Sequence, residues 1–257
     1  MGHPPNQPNG RNNISMKKRY LNRVLFVALA FASQMLGSAC ASQNSAQLQE
    51  NALLAAAQKA AGKDNSMDIQ ALEPNALAAT DANAERQGRR LILHLKSGTE
   101  KPYENRPECN ISDKESKCQM YVLVAHASSR STFVVAKLFY ESIEYLLVDD
   151  VTGEETILRS FPYYSPSGNH ILVLLVNDEQ VGFAVQIWSR VDHKFILDWS
   201  GSPHTEGMYT SYELVRWPSE NTIELQAKIS FAPPKPSMTK RFELRYAAHR
   251  WDIFETH

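Results

Sequence analysis

The chain has 257 residues, 43% hydrophobic and 21% charged, with 27 Lys and Arg against 28 Asp and Glu and a formal net charge of -1. So even a balance lacks the basic footprint of a nucleic-acid binder. The length beyond residue 90 suits one ordinary domain with a sizeable core.

Residues 1–15 are polar, with Pro and Asn. Lys17, Lys18, Arg19 and Arg23 then precede the apolar run from Val24 to Ala32, and small residues follow as far as Ala39-Cys40-Ala41. This is the order of an export signal, and the run is too short to span a bilayer. Met16 makes the better start for such a signal, which leaves residues 1–15 as a misassigned start or a leader. Ala39-Cys40-Ala41 fits cleavage before Ser42 and release of a free protein. Gly37-Ser38-Ala39-Cys40 fits instead a lipobox in which Cys40 would be lipidated, although Leu36 stands one place too far upstream. The protein is therefore expected outside the cytoplasm, periplasmic or secreted, with a lipid anchor as the alternative. No second long apolar run follows, so the processed chain is not expected to be an integral membrane protein.

Residues 42–89 are rich in Ala, Gln, Asn, Asp and Glu. Ala46 to Ala61 predicts a helix with a thin apolar side (Leu48, Leu53, Leu54), ended by Gly62 and Lys63-Asp64-Asn65. It is expected to dock loosely, with the remainder to Gly88 as linker.

From residue 90 to 257 the pattern predicts a β-rich domain. Short runs rich in Val, Ile, Leu, Phe and Tyr cover 91–95, 119–126, 131–140, 144–149, 156–159, 169–176, 181–190, 194–199, 211–217, 222–231 and 240–246. Gly, Pro, Asn, Asp and Ser separate them, and no helical period intervenes, which predicts antiparallel all-β structure. Cys109 and Cys118 are close in sequence in a chain bound for an oxidising compartment, which predicts one disulfide. Their spacing is neither a redox Cys-x-x-Cys nor a zinc set.

Pro166-Ser-Gly-Asn and Pro218-Ser-Glu-Asn come just after Tyr164 and Trp217 and lead into an apolar strand, as in repeated blades. Tyr145-Leu-Leu-Val-Asp-Asp-Val-Thr-Gly-Glu, followed by Phe161-Pro-Tyr-Tyr-Ser-Pro-Ser-Gly-Asn, resembles the blade signature of TolB-type and WD40-like propellers. There a D-x-x-T-G turn precedes S-P-D-G-x; here Ser167 replaces the Asp. The stretch from Leu91 resembles uncharacterised exported bacterial proteins with such repeats. The resemblance implies repeated antiparallel β-meanders and no activity. A closed ring needs about four blades of roughly 40 residues. A partial or irregular propeller-like stack is therefore the first expectation and a β-sandwich the second.

Few residues suggest chemistry. Ser237-Met-Thr-Lys240 and Lys96-Ser97-Gly98 stand in the reverse of the order used by penicillin-binding enzymes. The nucleophile elbow, the zinc-protease helix and the phosphate loop all lack their motifs. Asp149, Asp150, Glu154 and Glu155 crowd one turn, where a solvated hairpin explains them better than calcium. No cofactor or metal is called for, and no catalytic residue is assigned. Exposed aromatic loops are the better hint: Tyr163 and Tyr164 in 160–168, and Met208, Tyr209 and Tyr212 in 203–212. On a rigid β scaffold these suit contact with an envelope protein partner, unless they cap the sheets instead. The expectation is a non-enzymatic interaction module. The alternative is a metal or small-ligand binder, or a hydrolase, with a site built across strands from Asp149, Asp150, His170 and Glu206.

Overall fold

Short alternating segments joined by tight turns bury their apolar faces by folding back on their neighbours, and here they form hairpin after hairpin. The structure is a computed structural model that describes residues 50–61, 66–106, 118–140, 142–175, 184–202, 209–231 and 235–256. The chain divides into two compact units, Met1–Leu48 and Gln49–His257, and every described residue belongs to the second. Its helices are α1 (residues 50–61), α2 (Ser66–Gln70) and α3 (Glu73–Ala78).

Four antiparallel sheets follow in chain order. The first holds β1 (Ala84–Gln87), β2 (Arg90–His94) and β3 (Glu100–Glu104). The second holds β4 (Met120–Ala127), β5 (Thr132–Leu138), β6 (Ile143–Asp149) and β7 (Glu155–Leu158). The third holds β8 (Pro162–Tyr164), β9 (His170–Leu174), β10 (Val185–Val191) and β11 (Lys194–Gly201). The fourth holds β12 (Tyr209–Ser219), β13 (Thr222–Ser230), β14 (Met238–Ala247) and β15 (Arg250–Thr256). Each strand pairs with its sequence neighbours, so every sheet is a meander and the fold is all-β.

Three core clusters lie between successive sheets. Leu91, Leu93 and Tyr103 of the first sheet meet Leu123, Phe133, Val135, Leu146 and Val148 of the second. The other face of the second sheet, through Val122, Val134, Ala136, Leu147 and Leu158, meets Ile171, Val173 and Phe195 of the third. Leu172, Leu174, Val185 and Ile187 then turn to Ile223, Leu225, Phe242, Leu244 and Trp251 of the fourth. The period of two explains the division: neighbours on β5 or β9 serve opposite cores. Buried on both faces, β5 and β9 read as unbroken apolar runs (FVVA, ILVL), whereas β13 alternates (TIELQAKIS) because one face is wet. Among the described residues no cluster joins the fourth sheet back to the first.

Residues 66–89, expected as linker, instead contain α2, α3 and β1. The α3 carboxylate of Glu73 accepts the Leu123 N–H on the outer edge of β4 at 2.9 Å and is held by Arg86 of β1. Arg86 also donates to the Tyr121 carbonyl at 2.6 Å, and the Asn105 side chain accepts the Tyr121 N–H at 2.7 Å. A bare strand edge is thus sealed by side chains that composition alone reads as spacer. The helix α1, expected to dock loosely, buries Ala57 and Ala60 in the core between the second and third sheets. Its first residue, Glu50, is only 5% exposed.

Candidate functional site

Hairpin turns from several sheets carry a set of buried charges. Asp149 ends β6, and its carboxylate caps the following turn by accepting the N–H groups of Val151 (3.0 Å) and Thr152 (2.9 Å) and the Thr152 hydroxyl (3.1 Å). Arg190 of β10 reaches it at 2.6 Å, and His193, in the β10–β11 turn, at 3.2 Å. Burial pushes this carboxyl's pKa up. The Thr152 and Val151 N–H groups, His193 and the Thr152 hydroxyl outweigh that and hold it below the ordinary value.

Asp150, the next residue, turns to different partners. Its Oδ2 lies 2.8 Å from Lys96 Nζ and 3.2 Å from His126 Nε2, and the His126 ring stacks on Phe133. Burial again raises the pKa, while hydrogen bonds from His126 and Lys96, with their charges, bring it below the usual range. Lys96 also donates to the Ser131 hydroxyl at 3.2 Å. The third carboxylate is Glu50 of α1, which accepts from the Ser129 N–H (3.1 Å), the Ser129 hydroxyl (2.7 Å), the Ser128 hydroxyl (3.4 Å) and Arg130 Nη1 (2.7 Å). Arg130 lies over the Tyr164 ring at 4.8 Å. Its carbonyl accepts from Arg190, which links this group to Asp149.

This arrangement can anchor turns, and its charges are already committed. Asp149 and Asp150, expected in a solvated hairpin, are 3% and 1% exposed. They are buried because Arg190 and Lys96, distant in sequence, supply the charge that water would otherwise screen. Glu155 likewise accepts from Lys101 and from the Tyr103 hydroxyl, each at 2.8 Å. Burial, followed by the Glu155 charge, raises the Tyr103 pKa above its ordinary value. Among the described residues no group of three or more His, Cys, Asp and Glu is placed to hold a metal ion.

The cross-strand set Asp149, Asp150, His170 and Glu206 does not come together in the described residues. Asp149 and Asp150 serve separate clusters, and Glu206 lies outside the described residues. His170 Nδ1 is 3.0 Å from the Ser189 hydroxyl, which donates to Asp198 at 2.8 Å. Trp251 of the fourth sheet donates to the same Asp198 oxygen at 3.3 Å. The serine stands between the histidine and the aspartate, whereas a hydrolytic triad places the histidine in the middle. This chain of bonds fastens the third sheet to the fourth.

Among the described residues, the tyrosines expected to make contacts pack against the cores. Tyr212 is 8% exposed within the core between the third and fourth sheets, and Tyr163 packs against the same core. Tyr164 packs against the core between the second and third sheets, edge-on to Phe195. Met208 and the Tyr209 side chain lie outside the described residues, as do Cys40 and Cys109. Cys118 is 4% exposed, beside the bridge in which the Arg106 N–H donates to the Gln119 carbonyl at 2.8 Å.

Sequence reasoning missed Glu50, Arg130 and Arg190. Each lies in a segment that looks like ordinary polar surface, and their partners stand 41 to 80 positions away. The turn Pro166-Ser-Gly-Asn did carry a signal. Gly168 has φ +77°, and a Cβ there would lie 2.9 Å from the Arg130 side chain. Among the described residues no helix is long and apolar enough to cross a membrane, which says nothing about strands.

No protein-family model, curated protein or solved structure matches this chain.

Proposed function

We propose that this chain is an exported, non-enzymatic binding module of the bacterial envelope, built as an open, propeller-like stack of four meanders. Support for the stack comes from the three successive cores and from the outer face of the fourth sheet, on which no core cluster lies among the described residues. Support for export comes from the basic, apolar and small-residue order of residues 17–41. Release before Ser42 and lipidation of Cys40 remain the two forms of the N-terminus. A Cys109–Cys118 disulfide belongs to the proposal, favoured by the bridge between Arg106 and Gln119, which brings positions 106 and 119 together.

The observation that carries a binding role is the fourth sheet. On its outer face Val215 and Phe254 are exposed among charged rows. The register sets Arg216 opposite Glu224, Glu224 opposite Glu243 and Glu243 opposite Phe254, with Arg245 beside both Glu243 and Phe254. A cavity of about 190 Å³ opens there between Val215, Arg241, Phe242 and Thr256. Alternating Arg and Glu around apolar side chains match another protein's mixed surface better than a uniformly charged polymer.

The test is cross-linking in cells, comparing the wild-type chain with Phe254→Asp and Val215→Asp, alongside cell fractionation. One dominant exported partner, captured by the wild type and lost in both variants, supports the reading. A cytoplasmic protein, or a partner captured equally by all three chains, refutes it.

A further inference from the structure

The Ser128–Arg130 turn is a finished carboxylate receptor whose ligand is supplied by α1, an element joined to the rest of the unit only through residues 62–65. Three backbone and hydroxyl donors and one guanidinium converge on Glu50. None of the groups that shape this receptor comes from α1. The Thr132 hydroxyl and Arg190 both donate to the Arg130 carbonyl, Tyr164 underlies the guanidinium, and Gly168 leaves room for its stem. The Ser131 N–H closes the turn on the Ser128 carbonyl at 3.2 Å. The receptor therefore keeps its shape when α1 leaves.

The helix itself is a light ligand. Its buried face is Glu50, Ala57 and Ala60, with Leu53, Leu54, Gln58 and Ala61 partly buried. Alanines bury little area, so most of its specificity rests on the one charged anchor. An element at one end of its unit, held this way, opens at lower cost than the sheets do. Once open, it leaves uncovered an apolar strip and an unpaired Arg130, and the surface known to fit both is another α1.

We propose that α1 is an exchangeable latch: it closes on its own domain in the monomer and docks in the same Ser128–Arg130 receptor of a second copy in a symmetric dimer. This goes beyond the partner-binding role above and stands whether or not that role does. It uses a different face and needs no export.

Charge reversal in two complementary variants of the full chain tests it. In Glu50→Arg and in Arg130→Glu the latch and receptor carry like charges within each copy, so each variant alone is expected to be monomeric. In a mixture, the arginine introduced at position 50 meets the glutamate introduced at position 130 of the other chain. The reciprocal pair is then the native Glu50 on the native Arg130. The expected result is a doubling of mass by light scattering in the mixture only, with sheet circular dichroism unchanged. A mixture that stays monomeric overturns the proposal. Should either variant lose its sheet signal, residues 63 and 64 are deleted so that α1 is left too short a connection to close on its own copy, and this chain is titrated across two decades of concentration beside the same deletion carrying Glu50→Gln. A dimer of the shortened chain that Glu50→Gln weakens at least tenfold supports the latch, whereas a shortened chain that never dimerises, or whose dimer is indifferent to Glu50→Gln, overturns it.

Discussion

Replacing Asp149 by Ala removes the carboxylate on which the third sheet's charges converge. It strands Arg190, whose side chain is 17% exposed, without its partner at 2.6 Å. It also uncaps the N–H groups of Val151 and Thr152. Breaking one member of a buried ion pair costs about 3–5 kcal/mol, because the surviving charge stays desolvated. The lost turn bonds lie within that range, since the freed N–H groups can reach water. For a unit of this size 1 kcal/mol moves the midpoint by roughly 2–4 °C, so Asp149→Ala should melt about 6–20 °C below the wild type. Asp149→Asn keeps an acceptor for the turn and loses only the charge, and should cost about half as much, roughly 2 kcal/mol. Urea unfolding followed by tryptophan fluorescence gives both values at unchanged slope. If Asp149→Ala falls within about 0.5 kcal/mol of the wild type, the pair is surface decoration and the account of the buried turn is wrong.

Both Asp149 and Asp150 are held below the ordinary carboxylate pKa, so they bind protons more weakly folded than unfolded. Their contribution is present above about pH 4 and is lost as pH falls through their folded values. Urea midpoints should therefore drop steeply below about pH 4 in the wild type and less in Asp149→Asn and Asp150→Asn; parallel curves would contradict this. Glu73→Ala leaves Arg86 unpaired and the Leu123 N–H exposed on the edge of β4. A loss of about 3 kcal/mol is expected, together with faster hydrogen exchange at Leu123 than at Val134, and unchanged exchange would refute the edge seal. Mass spectrometry after alkylation without reduction should find Cys109 and Cys118 unmodified, and Cys118→Ser should cost about 2–3 kcal/mol; two alkylated thiols would remove the staple from the proposal.

The β-meanders were legible wherever turn chemistry was conventional. Thr152-Gly153 and Pro166-Ser-Gly-Asn mark hairpins because Gly153 and Gly168 sit at φ +74° and +77°. The strand β15 was missed for the opposite reason. Its hairpin turns through Ala248 and His249, at φ +51° and +63°, residues that rarely advertise a left-handed turn. The short strand β8 starts at Pro162 and has only three residues, too few for any period. The helix at α1 was legible from alanine content. Its docking was not, because Glu50 finds its donors 78 to 80 residues away.

The order of apolar and polar residues along the chain was enough to make it an antiparallel all-β protein, because a period of two and a breaker after each run act locally. Local pattern is silent about which sheet each face meets. FVVA on β5 reads the same whether one core or two lie beside it, and the stacking of sheets assigns Phe133 and Val134 to different interiors. Acidic turn residues pose the same problem in polar form. Asp149 and Asp150 look like solvent-facing charges until folding brings Arg190 and Lys96 within 3 Å, and that long-range pairing turns an expected solvated hairpin into the mortar between sheets.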